Sequence, residues 1–276
     1  MAGLKGCGKG QGKGGNACFT AVVLAGERSG GSELTRAAGV PYKALIPVCG
    51  MPMLERVVRA LRESRSISSI LVCGPDKGLF QGADALAEGL KAGWITWVQN
   101  AESPSLSALK ALELAGGKGP VLLTTADHAL LAPEVVDGFC ARATGCGCDL
   151  AVALAPLDVV KEAYPSVRRT SYRFREGAFC TCNLFGFMDE KGIGVVRFWR
   201  QVEERRKSPL KVIGSFGWFW ALKYLTGRLA LKEAFSRASM LLGCRIRPVV
   251  MPFARAAVDV DTPGDLALAE EILGCR

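Results

Sequence analysis

The sequence predicts an α/β protein: a three-layer α/β/α sandwich with a mostly parallel central sheet. Three observations carry this. Short apolar runs of strand length alternate with helical patterns from residue 19 to about residue 155. The runs are continuous rather than alternating, as strands buried on both faces require. The chain also has 276 residues, 49% of them apolar, enough for one full core with room for a small appendage.

The elements follow in order. Residues 19–25 (FTAVVLA) form the first strand, which ends at Gly26. A polar, Gly-rich loop runs to about Lys43. Pro52 then opens a helix through Leu54, Val57, Val58 and Leu61, as suits proline in a first turn. Strands are expected at 70–73, 95–98, 121–126 and 150–155, with helices at 79–90, 105–114 and 133–143 between them. Beyond this, 172–177 and 179–187 read as a β-ribbon, 195–206 and 216–238 as helices, and 245–251 and 257–260 as late strands. Residues 263–273 close the chain as a helix with Thr262 near its N-cap. In such sheets ligands sit beyond the carboxyl ends of the strands. That places the chemistry in the loops at 26–43, 99–107 and 124–128.

The first 17 residues are rich in Gly and Lys and lack an apolar signal core, so they read as a flexible basic tail. Residues 18–276 are then the folded domain, with 157–245 as a variable acceptor-side region. The net charge of +9 predicts polyanionic company: nucleotide phosphates, nucleic acid or an anionic membrane surface. No apolar run reaches transmembrane length. Eleven cysteines, mostly inside apolar runs, read as reduced, buried thiols of a cytosolic protein. The pairs Cys146/Cys148 and Cys180/Cys182 lack the two-residue spacer of a zinc knuckle.

The loop LAGERSGGSELTRAAGVPYK joins a strand end, several glycines, Arg28, Arg36 and Lys43. Glycines let backbone N–H groups approach a triphosphate, and cations offset its charge. By itself such a loop is also compatible with an ordinary solvated surface. It is not a Walker A loop, because no Gly-Lys-Ser/Thr closes it.

VVLAG, then Arg36, then Lys43 in YKALIPVCGMPMLERVVRAL, resembles the signature of sugar-phosphate and molybdenum-cofactor nucleotidyltransferases. The chain is similar to the MobA-like NTP transferase family, whose fold is the GT-A-like nucleotide-diphospho-sugar transferase fold. The resemblance spans roughly 19–273. It implies that Arg36 and Lys43 bind and polarise the triphosphate, while the backbone at Leu24, Ala25 and Gly26 lies under base and ribose. The loop from Gly26 to Arg36 is longer than the usual pattern, with Glu27 where a second glycine is common. Arg28 in that loop is counted among the nucleotide-binding candidates.

Two further segments extend the likeness. In VLLTTADHALLAPEVV an apolar strand ends at Asp127, where a carboxylate is well placed to hold Mg²⁺ beside phosphate oxygens. A turn or capping role is the alternative. His128, the single histidine, reads as a loop contact rather than a base. In AVDVDTPGDLALAEEIL, Asp259 and Asp261 alternate with Val260 and would face one side of an extended strand. The resemblance implies a second Mg²⁺ ligand here, Asp261 first and Asp259 as its rival, with Asp265 left to the closing helix.

By the same resemblance, Gln99, Ser103 and Ser105 (in QNAESPSLSAL) read base and ribose, although a serine at a helix entry also serves as an N-cap. Asn183 in CTCNLFGF would touch the acceptor. Arg168, Arg169 and Arg173 crowd a segment with Tyr172 and Phe174, which would clamp an acceptor phosphate or form a solvated face. The stretch SFGWFWALKYLTGRLALKEAF would be core, a homodimer interface, a pocket cap or a membrane-surface contact.

The expectation is a Mg²⁺-dependent nucleotidyltransferase that takes a nucleoside triphosphate and a phosphorylated small-molecule or lipid-linked acceptor, with no nucleic-acid partner. It would be cytoplasmic, with peripheral contact at the inner face of the membrane. The alternatives are a GT-A-type glycosyltransferase and a non-catalytic nucleotide-binding protein.

Overall fold

The computed structural model describes residues 18–26, 32–80, 84–116, 119–204 and 217–275, side chains 198–204 excepted. The expected basic tail at 1–17 and Arg28 lie outside the described residues.

The first half alternates as expected. Strands β1 (Phe19–Leu24), β4 (Ile67–Gly74), β5 (Ile95–Gln99), β6 (Val121–Thr125) and β7 (Leu150–Pro156) alternate with helices α1 (Glu33–Ala38), α2 (Met53–Glu63), α3 (Asp84–Ala92), α4 (Pro104–Ala115) and α5 (Pro133–Gly145). A two-residue hairpin, β2 (Pro47–Val48) and β3 (Met51–Pro52), precedes α2. It turns on Cys49 (φ 50°) and Gly50 (φ 74°), two positive φ values as in a type I′ turn. Helix α6 (Leu157–Ala163), β8 (Ser171–Phe174), β9 (Gly177–Phe187), α7 (Glu190–Glu204), α8 (Trp218–Leu225), α9 (Leu231–Leu242), β10 (Ile246–Val250) and α10 (Pro263–Ile272) complete the order.

The main sheet runs β10-β7-β9-β6-β1-β4-β5, with β8 paired to β9. Pairing is parallel except around β9, which runs antiparallel between β6 and β7. Apolar residues of β1 divide by parity. Ala21 and Val23 join the core under α2 and α5, with Leu54, Val57, Val136 and Phe139. Val22 joins the core under α4, with Ala111, Leu112 and Leu123. One core on each sheet face is the three-layer sandwich.

Four expectations need correction. The helix expected at 216–238 is two helices, because the chain turns at Gly227 (φ 68°) between α8 and α9. The helix expected at 79–90 resolves into a 3₁₀ turn at Lys77–Phe80 and then α3. The strand expected at 257–260 is a 3₁₀ turn at Ala254–Ala257 followed by extended backbone outside the sheet. The cysteines are not all thiols: Cys49 is bonded to Cys275, and Cys146 to Cys148. Cys73, Cys140, Cys180, Cys182 and Cys244 do fit the expectation of buried thiols.

A third, smaller core positions the loops above the sheet. Ile46 and Val48 from the first motif, Ala129 and Leu130 from the second, and Val258 and Val260 from the third are buried together with Met53 and Ala269. Burial of a side chain the size of Val or Ile contributes about 1.5–3 kcal/mol, so this cluster binds three sequence-distant segments into one unit. The Val260 N–H also donates to the Asp127 carbonyl at 3.0 Å.

Candidate active site

β1 and β6 are neighbours, yet the chain passes through β4 and β5 on the far side of β1 before it returns as β6. The strand order reverses there, and at such a switch point the loops leaving the carboxyl ends diverge to open a crevice. Leu24, Ala25 and Gly26 leave β1 at that point, and Ala126 and Asp127 leave β6 beside them. The Ala126 N–H donates to the Leu24 carbonyl at 2.9 Å, and the Ala25 N–H to the Cys73 carbonyl at 2.7 Å. A methyl added to Gly26 would meet the Asn100 side chain at 3.5 Å, so Asn100 flanks the exposed backbone expected to carry base and ribose. Asn100 was missed in the sequence, although it directly follows the candidate Gln99.

The three motifs converge here. The Lys43 ammonium donates to Asp127 Oδ2 at 2.7 Å and to Asp261 Oδ1. The Thr125 hydroxyl donates to the other Asp127 oxygen at 2.5 Å. Burial disfavours the charged form of Asp127, but the Lys43 charge and hydrogen bond, with the Thr125 hydroxyl, outweigh it and hold its pKa below the usual carboxylate value. Burial likewise opposes the charge of Lys43, and Asp127 and Asp261 outweigh it, so its pKa is raised. Both groups are ionised at neutral pH.

Asp259 is held separately. It pairs with Arg169, and its other oxygen accepts from Asn183 Nδ2 at 3.0 Å. Asn183 adopts φ 47°, a left-handed conformation that Asn tolerates better than most residues. It sits where β9 slips register against β7, between the pairs Val152–Phe185 and Leu154–Thr181. Extra residues in one strand re-aim a side chain, and here the amide is turned toward Asp259.

Ligand oxygens of Asp127, Asp259 and Asp261 lie within 4.8 Å of one another. Hard oxygen donors at this spacing fit a divalent cation such as Mg²⁺. Three carboxylates against Lys43 and Arg169 also leave one excess negative charge, a further match to a cation.

The other candidates lie elsewhere or have other partners. Arg36 is exposed on α1, with Nε at 3.5 Å from the Ser32 carbonyl. Arg168 and Arg173 are exposed and make no hydrogen bond or ion pair with the acid cluster among the described residues. Ser103 is the N-cap of α4, accepting from Leu106 N at 3.2 Å, and Ser105 is buried with its hydroxyl 3.0 Å from that of Ser103. Gln99 is exposed, and its carbonyl accepts from Lys110 at 2.9 Å. His128 is 1% exposed, and burial pushes its pKa down to about 4, although the Asp127 charge and the nearby Arg255 backbone act the other way. Neither ring nitrogen reaches a partner at hydrogen-bond geometry, so His128 is a neutral wall residue under the loop.

Known proteins share this arrangement of strands and loops. The family model of the MobA-like NTP transferase domain matches residues 21–172. A hypothetical transferase from Thermus thermophilus is 30% identical, with a TM-score of 0.76 over 90% of this chain and 99% of its own. Two structures at 14% identity share the fold. One is the CMP:2-keto-3-deoxy-manno-octonic acid synthetase complexed with CTP (TM-score 0.54, 93% of this chain and 98% of that one). The other is a 4-diphosphocytidyl-2C-methyl-D-erythritol synthase from Anaerococcus prevotii (TM-score 0.53, 94% and 97%). No curated protein is similar enough to match. With the first two motifs inside the matched segment and the crevice at its switch point, this chain belongs to the MobA-like NTP transferase family and is a nucleotidyltransferase.

Proposed function

We propose that the enzyme transfers a nucleoside monophosphate from a nucleoside triphosphate to a phosphorylated acceptor. An acceptor phosphate oxygen attacks the α-phosphorus, the bond between that phosphorus and the bridging oxygen to the β-phosphorus breaks, and pyrophosphate leaves. The observation that carries this reading is the meeting of Lys43, Asp127 and Asp261 at the switch point of the sheet.

Asp127 and Asp261 would hold Mg²⁺, which supplies charge neutralisation of phosphate oxygens when bound. Asp259 is already neutralised by Arg169 and oriented by Asn183, which supports a positioning role for it and favours Asp261 as the second ligand. Lys43 offsets negative charge as the α-phosphorus is attacked. Arg36, exposed on α1, is proposed to reach the triphosphate when it binds. An ionised acceptor phosphate needs no general base, which agrees with a single histidine that is buried and neutral. A glycosyltransferase of this fold would carry an Asp-x-Asp pair after β6, where this chain has Thr125-Ala126-Asp127.

The test is pyrophosphate release from each of the four triphosphates with Mg²⁺ and a panel of phosphorylated acceptors. Release with at least one pair, abolished in Asp127→Asn, is the expected result. Full activity in that variant would remove the metal assignment.

A further inference from the structure

Among the described residues, four of the most exposed large apolar side chains stand on one short helix. Helix α8 has the sequence WFWALKYL and buries none of its residues. Trp218, Phe219, Leu222 and Leu225 stand 70%, 68%, 63% and 80% exposed. Trp218, Leu222 and Leu225 also line a groove of about 680 Å³ between α8, β8 and α9, together with Tyr172, Phe174 and Trp220. An apolar patch of this kind marks an interaction surface.

Charge decides what kind of surface covers it. Segments 171–177 and 217–242, which build this face, contain six cations (Arg173, Arg175, Lys223, Arg228, Lys232, Arg237) and two carboxylates, Glu176 and Glu233. Both carboxylates are already engaged, each with one of those cations (Glu176 with Arg175, Glu233 with Lys223), so these segments carry a net charge of +4. Glu176 accepts from Leu231 N at 2.9 Å, and Glu233 from Lys223 at 2.5 Å and Ala230 N at 2.9 Å. A second depression, lined by Arg175, Lys232 and Arg237, shares Trp220 with the groove, so cations stand beside the aromatic wall. A second copy meeting this face across a two-fold axis would set the same positive excess against itself.

We propose that this face docks on an anionic lipid bilayer. Trp218, Phe219, Leu222 and Leu225 enter the boundary between headgroups and acyl chains, and the flanking cations meet anionic headgroups. Tryptophan and tyrosine suit that boundary because an apolar ring carries a polar edge. No helix among the described residues is long and apolar enough to cross a membrane, so the contact is peripheral. It is independent of the nucleotidyl-transfer reading, since no residue of the acid cluster takes part.

The experiment is co-sedimentation of the full chain with vesicles of equal parts phosphatidylglycerol and phosphatidylcholine at low salt. Binding is expected there, with tryptophan emission shifted to shorter wavelength, and is expected to fall several-fold on phosphatidylcholine alone or at high salt. The combined variant Trp218→Ser, Phe219→Ser, Leu222→Ser should lose roughly tenfold or more in affinity with an unchanged circular dichroism spectrum. Should that variant fold poorly, Arg228→Glu with Lys232→Glu reads the same face through charge alone and should also lose binding. The proposal is overturned by failure to bind anionic vesicles or by full binding in the charge-reversed variant. It is equally overturned if lipid-free sedimentation velocity shows a dimer that these substitutions dissolve, which would give the face to a second copy.

Discussion

Replacing Lys43 with Met would separate its electrostatic part from its packing part. At 2.7 Å from Asp127 Oδ2, two unit charges attract by about 6 kcal/mol at an effective dielectric near 20. Most of that is offset by desolvation. The side chains of Lys43, Asp127 and Asp261 are 18%, 21% and 57% exposed, so a net loss of about 1–2 kcal/mol is expected on removal. In a chain of this size that lowers the melting temperature by about 2–8 °C. The loss should be nearly constant across neutral pH. Asp127 has a lowered pKa, so its contribution is present above about pH 3.9 and lost as pH falls through the folded value. Lys43 has a raised pKa, so its share is present below 10.5 and lost as pH rises through the folded value.

Two assays then read function. In pyrophosphate release, kcat/KM should drop by about 100–1,000-fold, the scale for losing one group aimed at developing charge. In thermal shift without nucleotide, stabilisation by Mg²⁺ or Mn²⁺ should exceed that of the wild type, because the ammonium that competes for Asp127 and Asp261 is gone. A variant within about threefold of wild-type kcat/KM, or one with no change in metal response, would refute the reasoning.

Other substitutions probe the frame. Asn183→Gly keeps the left-handed backbone but removes the amide on Asp259, so kcat should fall about tenfold or more with little change in melting temperature. Asn183→Val should in addition cost about 1–2 kcal/mol of stability, read by urea unfolding. Asp149→Ala removes three hydrogen bonds to Arg245 (2.6, 2.7 and 3.0 Å) that tie the entry of β7 to that of β10. It should destabilise by about 2–3 kcal/mol. The Arg245 hydrogen bonds depress the Asp149 pKa, so the deficit should be full above about pH 4 and shrink as pH falls through the folded value. Gly192→Ala places a methyl 2.3 Å from the Asp149 carbonyl oxygen, and backbone cannot yield as a flexible side chain does. A loss of about 1–3 kcal/mol in a denaturant melt is expected.

What was legible in the sequence followed from local chemistry. A short, continuous run such as FTAVVLA that ends at a glycine reads as a strand buried on both faces, and Thr262-Pro263-Gly264-Asp265 announces a capped helix, confirmed by the reciprocal Thr262–Asp265 hydrogen bonds. The alternation of Asp259 and Asp261 put both on one side, and the structure gathers them with Asp127. What escaped depends on distant partners. Nothing near 177–187 says that this strand inserts antiparallel between β6 and β7. The different partners of Asp259 and Asp261 rest on Arg169, 90 positions away from Asp259. Ser103 and Ser105 read equally as base contacts or as a helix entry, and the structure shows Ser103 capping α4 with the Ser105 hydroxyl beside it. The pairing of Cys49 with Cys275 needs the two ends of the domain to meet first, which no spacing rule foresees.

The small core of Ile46, Val48, Leu130, Val258 and Val260 also sets a timetable for the ribosome. Lys43 and Asp261 are 218 positions apart, and closing a loop of that length costs about 5 kcal/mol of chain entropy. Half of the crevice is synthesised early and waits. A nascent chain that has emerged only through β7 holds Lys43 and Asp127 but has no Val258 or Val260 to pack beside Ile46 and Leu130. The meeting of Asp261 with Lys43 and Asp127 therefore waits for one late step, when the segment before α10 docks on that core.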